Sequence, residues 1–405
     1  MNILLISPDD RKYLENAGDR PPLGVCYIAR VLKDAGHKVV IADLNHDKIR
    51  KVISIAHTYN PDFIGISFTT PQYKQALDIL KRLREVCTSK IIAGGVHPSL
   101  APESCMDFDF IVKGEGERVI KDLVEGKITD KIIDFQQPAD LNILPARELL
   151  DMSKYNLSID GRRTATLISS RGCPGNCIYC SRLFGKQFRF VSSDLVFKEM
   201  LLLWNKYDYD SFYFLDDSFT ADEKRLYELA ILIKGNGFDK KWQIRITTRA
   251  SMVNETVATL LESMGVKLVS LGIEHADNNV LKRNCKQMTI EDNEEAIRLL
   301  RRHGIKIKGF FILNLPYATK HTLRKTIKWS FKYCDYADYY SVVAFPGCSL
   351  WNFPEKFNVK LLNKDFETWE AGKHIKPNIE NPEVPNIYVK KKVREAQKIW
   401  KIKNL

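Results

Sequence analysis

One rhythm limits what this chain can fold into, and it occurs twice. A short β-branched apolar run is followed by a turn, an amphipathic helical stretch and then the next apolar run. Over residues 1–131 the runs are "ILLIS" (3–7), "KVVIAD" (38–43), "FIGISFT" (63–69), "KIIAGG" (90–95) and "FIVKGE" (110–115). Continuous hydrophobicity of this kind belongs to parallel strands buried on both faces. Helical segments such as "LGVCYIARVLKDAG" (23–36) and "PQYKQALDILKRLREV" (71–86) lie between them, and Gly36 stands where a helix would end in a left-handed residue. The pattern predicts a five-strand, doubly wound, Rossmann-like (flavodoxin-like) α/β domain. Ligands on such sheets sit beyond the carboxyl ends of the strands. The segments there are Ser67-Phe68-Thr69, Gly94-Gly95-Val96-His97-Pro98 and Gly114-Glu115-Gly116-Glu117.

Residues 132–163 carry Pro138 and Pro145 and no strong periodicity, so they are expected to form a linker. From residue 164 the alternation restarts, with strands expected at 164–170, 211–217, 242–248, 267–274, 306–316 and 338–345 and helices at 194–206, 255–264 and 290–303. Six such units over 164–349 make either a second open sheet or a partial β/α barrel, because residues 350–405 do not supply the two further units of a full barrel. Residues 350–405 read as a C-terminal extension. Its segment 390–403 places Val389, Val393, Ala396 and Trp400 at helical spacing, which predicts a basic surface helix with one docked face.

Directly after the first strand of the second series comes "RGCPGNCIYCS" (171–181), which gathers Cys173, Cys177 and Cys180 within one short loop. In barrels the chemistry sits at this end of the strands. The other six of the nine cysteines are scattered, which is no disulfide framework and suits a reducing, cytoplasmic setting. Structural zinc wants four closed ligands. Here the next cysteine downstream is Cys285, and no histidine lies between His97 and His275. Three thiolates suit a four-iron four-sulfur cube with one iron open to a non-protein ligand, a zinc site with a distant fourth ligand being the alternative.

CxxxCxxC with Tyr179 before its last cysteine resembles the signature of the radical S-adenosylmethionine (SAM) enzymes. The first domain, through "PPLGVCYIARVLKDAGHKVVIAD", "GISFTT", "IIAGGVHP" and "VKGEGE", is similar to the cobalamin (B12)-binding domain that precedes the barrel in the B12-dependent class. The segments "FLDDSFT", "KGFFILNLP" and "FPGC" fall in the order of that class, so the likeness covers nearly the whole chain. It implies a 4Fe-4S cluster held by Cys173, Cys177 and Cys180, with SAM on the open iron and reductive cleavage to a 5′-deoxyadenosyl radical. Asp216 and Asp217 would lie near the methionyl ammonium, Arg249 near the methionyl carboxylate and Glu274 near the ribose, with Tyr179 beside the cluster. Ser67, Thr69, Gly94, Gly95, His97, Gly114 and Glu115 are the corresponding candidates for cobalamin. The loop "SPDDRKYLENAGDRPPLG" lacks the histidine that ligates cobalt in many B12 domains. Asn314, His275 and Cys348 also depart from the usual pattern, and with it from the usual substrate pocket.

The expected activity is cobalamin-dependent methylation of an unactivated centre in a small-molecule, lipid or peptide substrate, with flavodoxin or ferredoxin as electron donor. A radical rearrangement or cyclisation, with cobalamin auxiliary or absent, is the second reading. The third is a non-catalytic iron–sulfur protein docking RNA or membrane. The formal charge of +12 invites that third reading, but the basic residues are spread along the chain. A nucleic-acid partner is therefore not expected, and no apolar stretch is long enough to span a membrane.

Overall fold

The structure, a computed structural model, describes residues 1–12, 17–135, 137–369 and 377–403. It divides into two compact units, residues 1–158 with a segment beginning at Asp365, and residues 159–364 with the chain from Pro377 onward.

The first unit is a six-stranded, all-parallel sheet. Its strands are β1 (Asn2–Ser7), β2 (Lys38–Asp43), β3 (Phe63–Ser67), β4 (Lys90–Gly94), β5 (Phe110–Lys113) and β6 (Ile132–Asp134), in the order β2-β1-β3-β4-β5-β6. The helices between them are α1 (Leu23–Asp34), α2 (Ile49–Tyr59), α3 (Tyr73–Arg84), α4 (Val96–Leu100) and α5 (Ile120–Val124). Strand β1 shows why both faces are covered. Leu4 and Ile6 point into a core with Val52 and Ala56 of α2 and Ala76 and Ile79 of α3. Ile3 and Leu5 point the other way, to Val25, Ala29 and Leu32 of α1 and Leu123 of α5. The strand order reverses between β1 and β3, so the switch-point crevice of this fold opens where those two strands end.

Two expectations are corrected here. The sheet has six strands, because Ile132–Asp134 pairs with β5. Nor is the stretch from 132 a free linker, since most of it is fastened to the first unit. Ala146 N–H donates to the Cys26 carbonyl, Glu148 pairs with Arg30 and Lys33, and the buried Tyr155 hydroxyl donates to Asp43 Oδ2 at 2.9 Å. The C-terminal extension is also split. Phe366 packs edge-on against His97 and Tyr73 of the first unit.

The second unit opens with β7 (Ser158–Ile159) and β8 (Arg162–Leu167), followed by a small antiparallel pair, β9 (Ser170–Arg171) and β10 (Arg189–Phe190). Helix α6 (Ser193–Tyr207) leads to β11 (Ser211–Phe214), α7 (Glu223–Gly235) to β12 (Gln243–Thr248), and α8 (Glu255–Ser263) to β13 (Val266–Glu274). Helices α9 (Asn278–Arg283) and α10 (Ile290–Arg302) precede β14 (Lys306–Ile312), and α11 (Lys320–Tyr333) precedes β15 (Tyr336–Tyr340). Strands β8 and β11 to β15 are parallel neighbours in chain order, a curled half-barrel of six βα units. Caps set the helix starts. Asp222 accepts Arg225 N–H at α7, Asn254 accepts Val257 N–H at α8, and Thr289 with Asp292 forms a capping box at α10. Burial alternates along β12, with Ile244, Ile246 and Thr248 buried and Gln243, Arg245 and Thr247 half-exposed.

After α12 (Ser349–Asn352), the chain ends in α13 (Asn386–Lys403). Val389, Ala396 and Trp400 are its buried face, and the Trp400 indole donates to Tyr339 Oη at 2.8 Å. Lys390, Lys391, Arg394 and Lys398 are exposed. Among the described residues no helix is long and apolar enough to cross a membrane.

Candidate functional site

The cysteine loop starts where β8 ends, and its entrance is built from buried polar groups. Asp216, just past β11, is 2% exposed and accepts three hydrogen bonds, from Ser169 N–H (2.7 Å), Ser169 Oγ (2.7 Å) and Ser170 Oγ (2.6 Å). The buried Arg225 guanidinium donates to the same Ser169 hydroxyl. Asp216 thus fixes the turn out of β8, and its acceptor capacity is spent inside the protein. Asp217 is exposed and accepts only a long hydrogen bond, 3.3 Å, from Gly172 N–H. Protein packed around it and the neighbouring Asp216 raise its carboxyl above the ordinary range. Of the two acids expected near an ammonium group, Asp217 is the one with free acceptor positions.

Gly172 has φ +93°, and a Cβ there would stand 2.1 Å from the Gln187 carbonyl oxygen. Only glycine fits where the loop leaves the β9–β10 pair. At Gly175 a Cβ would lie 2.4 Å from Arg249 Nη1 and 3.3 Å from Cys173 Sγ. That glycine admits the arginine across the loop. Arg249 is buried, donates through Nη2 to the Lys286 carbonyl (2.7 Å) and holds Nη1 4.0 Å from Cys177 Sγ. Burial opposes its charge, yet the Cys177 and Cys173 sulfurs beside it keep its pKa above the ordinary arginine value. Arg249 therefore reaches the thiols themselves.

Cys177 is buried, Cys173 half-buried and Cys180 at the surface, and all nine cysteines are free. Protein around the Cys180 sulfur and the Cys177 and Cys173 thiols near it push its pKa up. Among the described residues, no three His, Cys, Asp or Glu side chains converge as they would on a single metal ion. A cube takes its thiolates on separate irons and needs them farther apart. The donor set fits such a cluster, with three thiols on one loop and a guanidinium beside two of them.

At the end of β13, Glu274 adopts φ +67° and pairs at 2.9 Å with Lys286 Nζ, which is 4% exposed. Gly272 makes room for the pair, since a Cβ there would meet Glu274 Oε1 at 2.9 Å and Lys286 Nζ at 3.1 Å. Nothing in the sequence singled out Lys286. The structure brackets it between Cys285 (φ +54°) and Gln287 (φ +56°), two left-handed non-glycine residues of the kind that collects at functional sites. The Tyr179 hydroxyl is enclosed next to Glu274 and Cys177, and burial raises its pKa well above the usual value. Asn314 is fully buried and bridges Val342 N–H and Asn386, while Cys348 and His275 are buried as well. Those three departures from the usual pattern are thus packed inside the unit.

In the first unit the expected cobalamin contacts lie at the ends of β3, β4 and β5. Several are engaged by the protein itself. Thr69 is the cap of a box with Gln72, and Glu115 accepts Ala139 N–H. Gly95 has φ +94° and lies so close to β3 that a Cβ would stand 2.8 Å from Ser67 Oγ. His97 is fully buried between Thr70 Oγ1 (3.2 Å) and Ser104 Oγ (2.8 Å), and burial lowers its pKa to about 4. Both its nitrogens are occupied, which corrects its expected role as a cofactor contact. It is a fastening inside the fold. Gly94, whose Cβ position is open, and Gly114, at φ +74° with its N–H on Ser99 Oγ, leave backbone accessible at the strand ends. A floor of glycine and Ser67 suits a large nucleotide-tailed cofactor. Residues 13–16 of the β1–α1 loop lie outside the described residues.

Fold and site together define an enzyme with a nucleotide-fold domain ahead of a half-barrel that presents three thiols at its catalytic face. The B12-binding domain family matches residues 14–124, and the radical SAM superfamily matches residues 167–330. An uncharacterised methyltransferase of Pyrococcus horikoshii is 28% identical, with 98% of this chain and 91% of that protein aligned. The anaerobic magnesium-protoporphyrin IX monomethyl ester cyclase of Rubrivivax gelatinosus is 29% identical, over 81% of this chain and 65% of its own length. Among solved structures, the radical SAM methyltransferase TsrM of Kitasatospora setae superposes with a TM-score of 0.75 at 16% identity, covering 90% of this chain and 77% of that one. The chain thus carries a B12-binding domain followed by a radical SAM domain, the pairing of the B12-dependent radical SAM enzymes. The cofactors of these families are a 4Fe-4S cluster, SAM and cobalamin.

Proposed function

We propose that this protein is a cobalamin-dependent radical SAM methyltransferase acting on an unactivated centre, with a flavodoxin- or ferredoxin-type electron donor. The observation that carries the reading is the three-thiol loop at the carboxyl end of β8, crossed by a buried arginine, on a chain with a B12-binding domain. The full-length similarity to a methyltransferase points the same way. When bound, the cluster and cobalamin would supply one-electron cleavage of the SAM sulfonium and a transferable methyl group.

The chain's own residues position and enclose. Cys173, Cys177 and Cys180 would hold the cluster, and Arg249 would offset part of its thiolate charge. Asp217 offers carboxylate oxygens to the methionyl ammonium, while Asp216 and Arg225 hold the turn that aims the loop. Glu274 faces the ribose side, with Lys286 paired to it at 2.9 Å and orienting it. Ser67, Gly94 and Gly114 would carry the cobalamin nucleotide tail on backbone and hydroxyl groups.

Reconstituted protein with cobalamin, SAM and reductant should yield 5′-deoxyadenosine and methylcobalamin. Cys177→Ala should yield no 5′-deoxyadenosine, and unchanged 5′-deoxyadenosine from that variant would refute the cluster assignment. The similarity to a ring-forming cyclase favours a second reading, radical cyclisation without methyl transfer. Formation of 5′-deoxyadenosine with no methylcobalamin would select it.

A further inference from the structure

At the opposite ends of the barrel strands from the cysteine loop, a cavity of about 450 Å³ opens among the residues that begin β8, β12, β13, β14 and β15. Its volume lies in the range of small-molecule sites. Its walls carry five cations (Arg162, Lys240, Arg245, Lys267 and Lys306) against two carboxylates (Asp160 and Asp239). The arginines are already paired, Arg245 with Asp160 at 2.6 Å and Arg162 with Asp210 at 3.0 Å. Lys240, Lys267 and Lys306 have no ion-pair partner among the described residues. The strand pairing holds this charge in place, because Lys306 stands opposite Leu268, which in turn stands opposite Arg245.

The second observation is independent of charge. Three buried polar atoms on lining residues have no hydrogen-bond partner among the described residues: Trp242 Nε1, Arg245 Nε and Gln243 Oε1. The Trp242 ring packs among Phe197, Trp204, Phe212 and Phe238, so its indole belongs to the core, whereas Arg245 is half-buried and its Nε is a donor shut away from solvent. A buried donor of this kind calls for an acceptor. One free guanidinium N–H and three exposed ammonium groups around one cavity are complementary to an oxygen-rich dianion, and a guanidinium already fixed by a carboxylate is oriented to bind one.

We propose that this cavity is a binding site for a phosphorylated small molecule, whose phosphoryl oxygens are held by Lys267, Lys306 and Arg245. It is separate from the cysteine loop, since Leu268 on its wall and Glu274 at the end of β13 stand about 20 Å apart at strand spacing. The phosphoryl group could belong to the substrate or to a separate effector.

Titration calorimetry of the full chain with inorganic pyrophosphate tests the site, with orthophosphate as a parallel probe. Saturable one-to-one binding is expected, weakened about tenfold or more in Lys306→Glu and in Lys267→Glu and unchanged in Lys390→Glu on α13. Cys177→Ala should bind pyrophosphate as the parent does, which separates this site from the reaction centre. Tighter binding of pyrophosphate than of orthophosphate would indicate two phosphoryl subsites. With reconstituted enzyme and no added substrate, pyrophosphate that changes the 5′-deoxyadenosine rate marks an effector, and pyrophosphate that binds without changing it marks a substrate anchor. Non-saturable binding, or equal weakening by Lys390→Glu, would overturn the proposal.

Discussion

At the scale of single residues, two positions set the geometry of the thiol loop and give sharp tests. Gly172 cannot accept a methyl group without moving the Gln187 carbonyl, because both its dihedral and its surroundings forbid one. Gly172→Ala should therefore leave the far-ultraviolet circular dichroism intact while reconstitution recovers little of the cluster's visible absorbance. A variant that takes up iron and sulfide like the parent would show that the loop tolerates a different path. Lys286 is the second position. Lys286→Met would leave Glu274 without its cation in a poorly hydrated site, with an expected cost of about 3 kcal/mol in unfolding free energy and a large loss of SAM affinity. The double change Lys286→Met/Glu274→Gln should recover most of the stability and little of the affinity, and equilibrium dialysis with SAM separates the two. The cysteines were legible in the sequence because their spacing is itself the chemistry. Lys286 was not, because its importance comes from a buried pairing across twelve residues and from left-handed neighbours that no residue type announces.

At the scale of elements, the strands and helices of both sheets followed the periodicity of the sequence closely, since burial on both faces leaves an unbroken apolar run. Strand β6 was missed because it is three residues long and lies at the sheet edge, too short for any period to show. The same weakness hid the packing of residues 137–158. Prolines and mixed polarity look like a linker, and only the partners reveal otherwise: Cys26, Arg30 and Lys33 of α1 and Asp43 of β2. Tyr155 tests this directly. Its hydroxyl satisfies Asp43, whose carboxyl is raised by burial and is 3% exposed. Tyr155→Phe should cost the first unit about 1–2 kcal/mol, read as a lower urea midpoint with an unchanged slope. A linker residue would give no shift. His97 illustrates the same limit from the other side, for the sequence shows an imidazole at a strand end but not that Thr70, Ser104 and the distant Phe366 enclose it.

At the scale of the whole molecule, each unit buries one neutral histidine among the described residues, and this couples folding to pH. His97 in the first unit and His275 in the second are both fully buried, and burial lowers each to about 4. An unfolded histidine titrates near 6.5, so between pH 6.5 and 4 the unfolded chain binds more protons and stability falls as the solution is acidified. The contribution is complete above pH 6.5 and amounts to about 2 kcal/mol per histidine lost by pH 5. The Asp10 and Asp43 carboxyls, raised by burial, act in the opposite sense and partly offset this on acidification. The comparison between variants isolates the imidazole. His97→Gln keeps a side chain able to bond Thr70 and Ser104 but removes the titrating group, so the drop in unfolding free energy of the first unit between pH 7 and pH 5 should shrink by about 2 kcal/mol. Phe366→Ala should act through the same residue, because it strips the ring that covers His97 and allows the imidazole to hydrate and charge. A histidine titration followed by NMR should then show the His97 resonance moving at a pH above that of the parent, with His275 unchanged. If His97 titrates identically in both proteins, the C-terminal segment does not seal it, and the acid sensitivity of the first unit belongs to the core beneath α4.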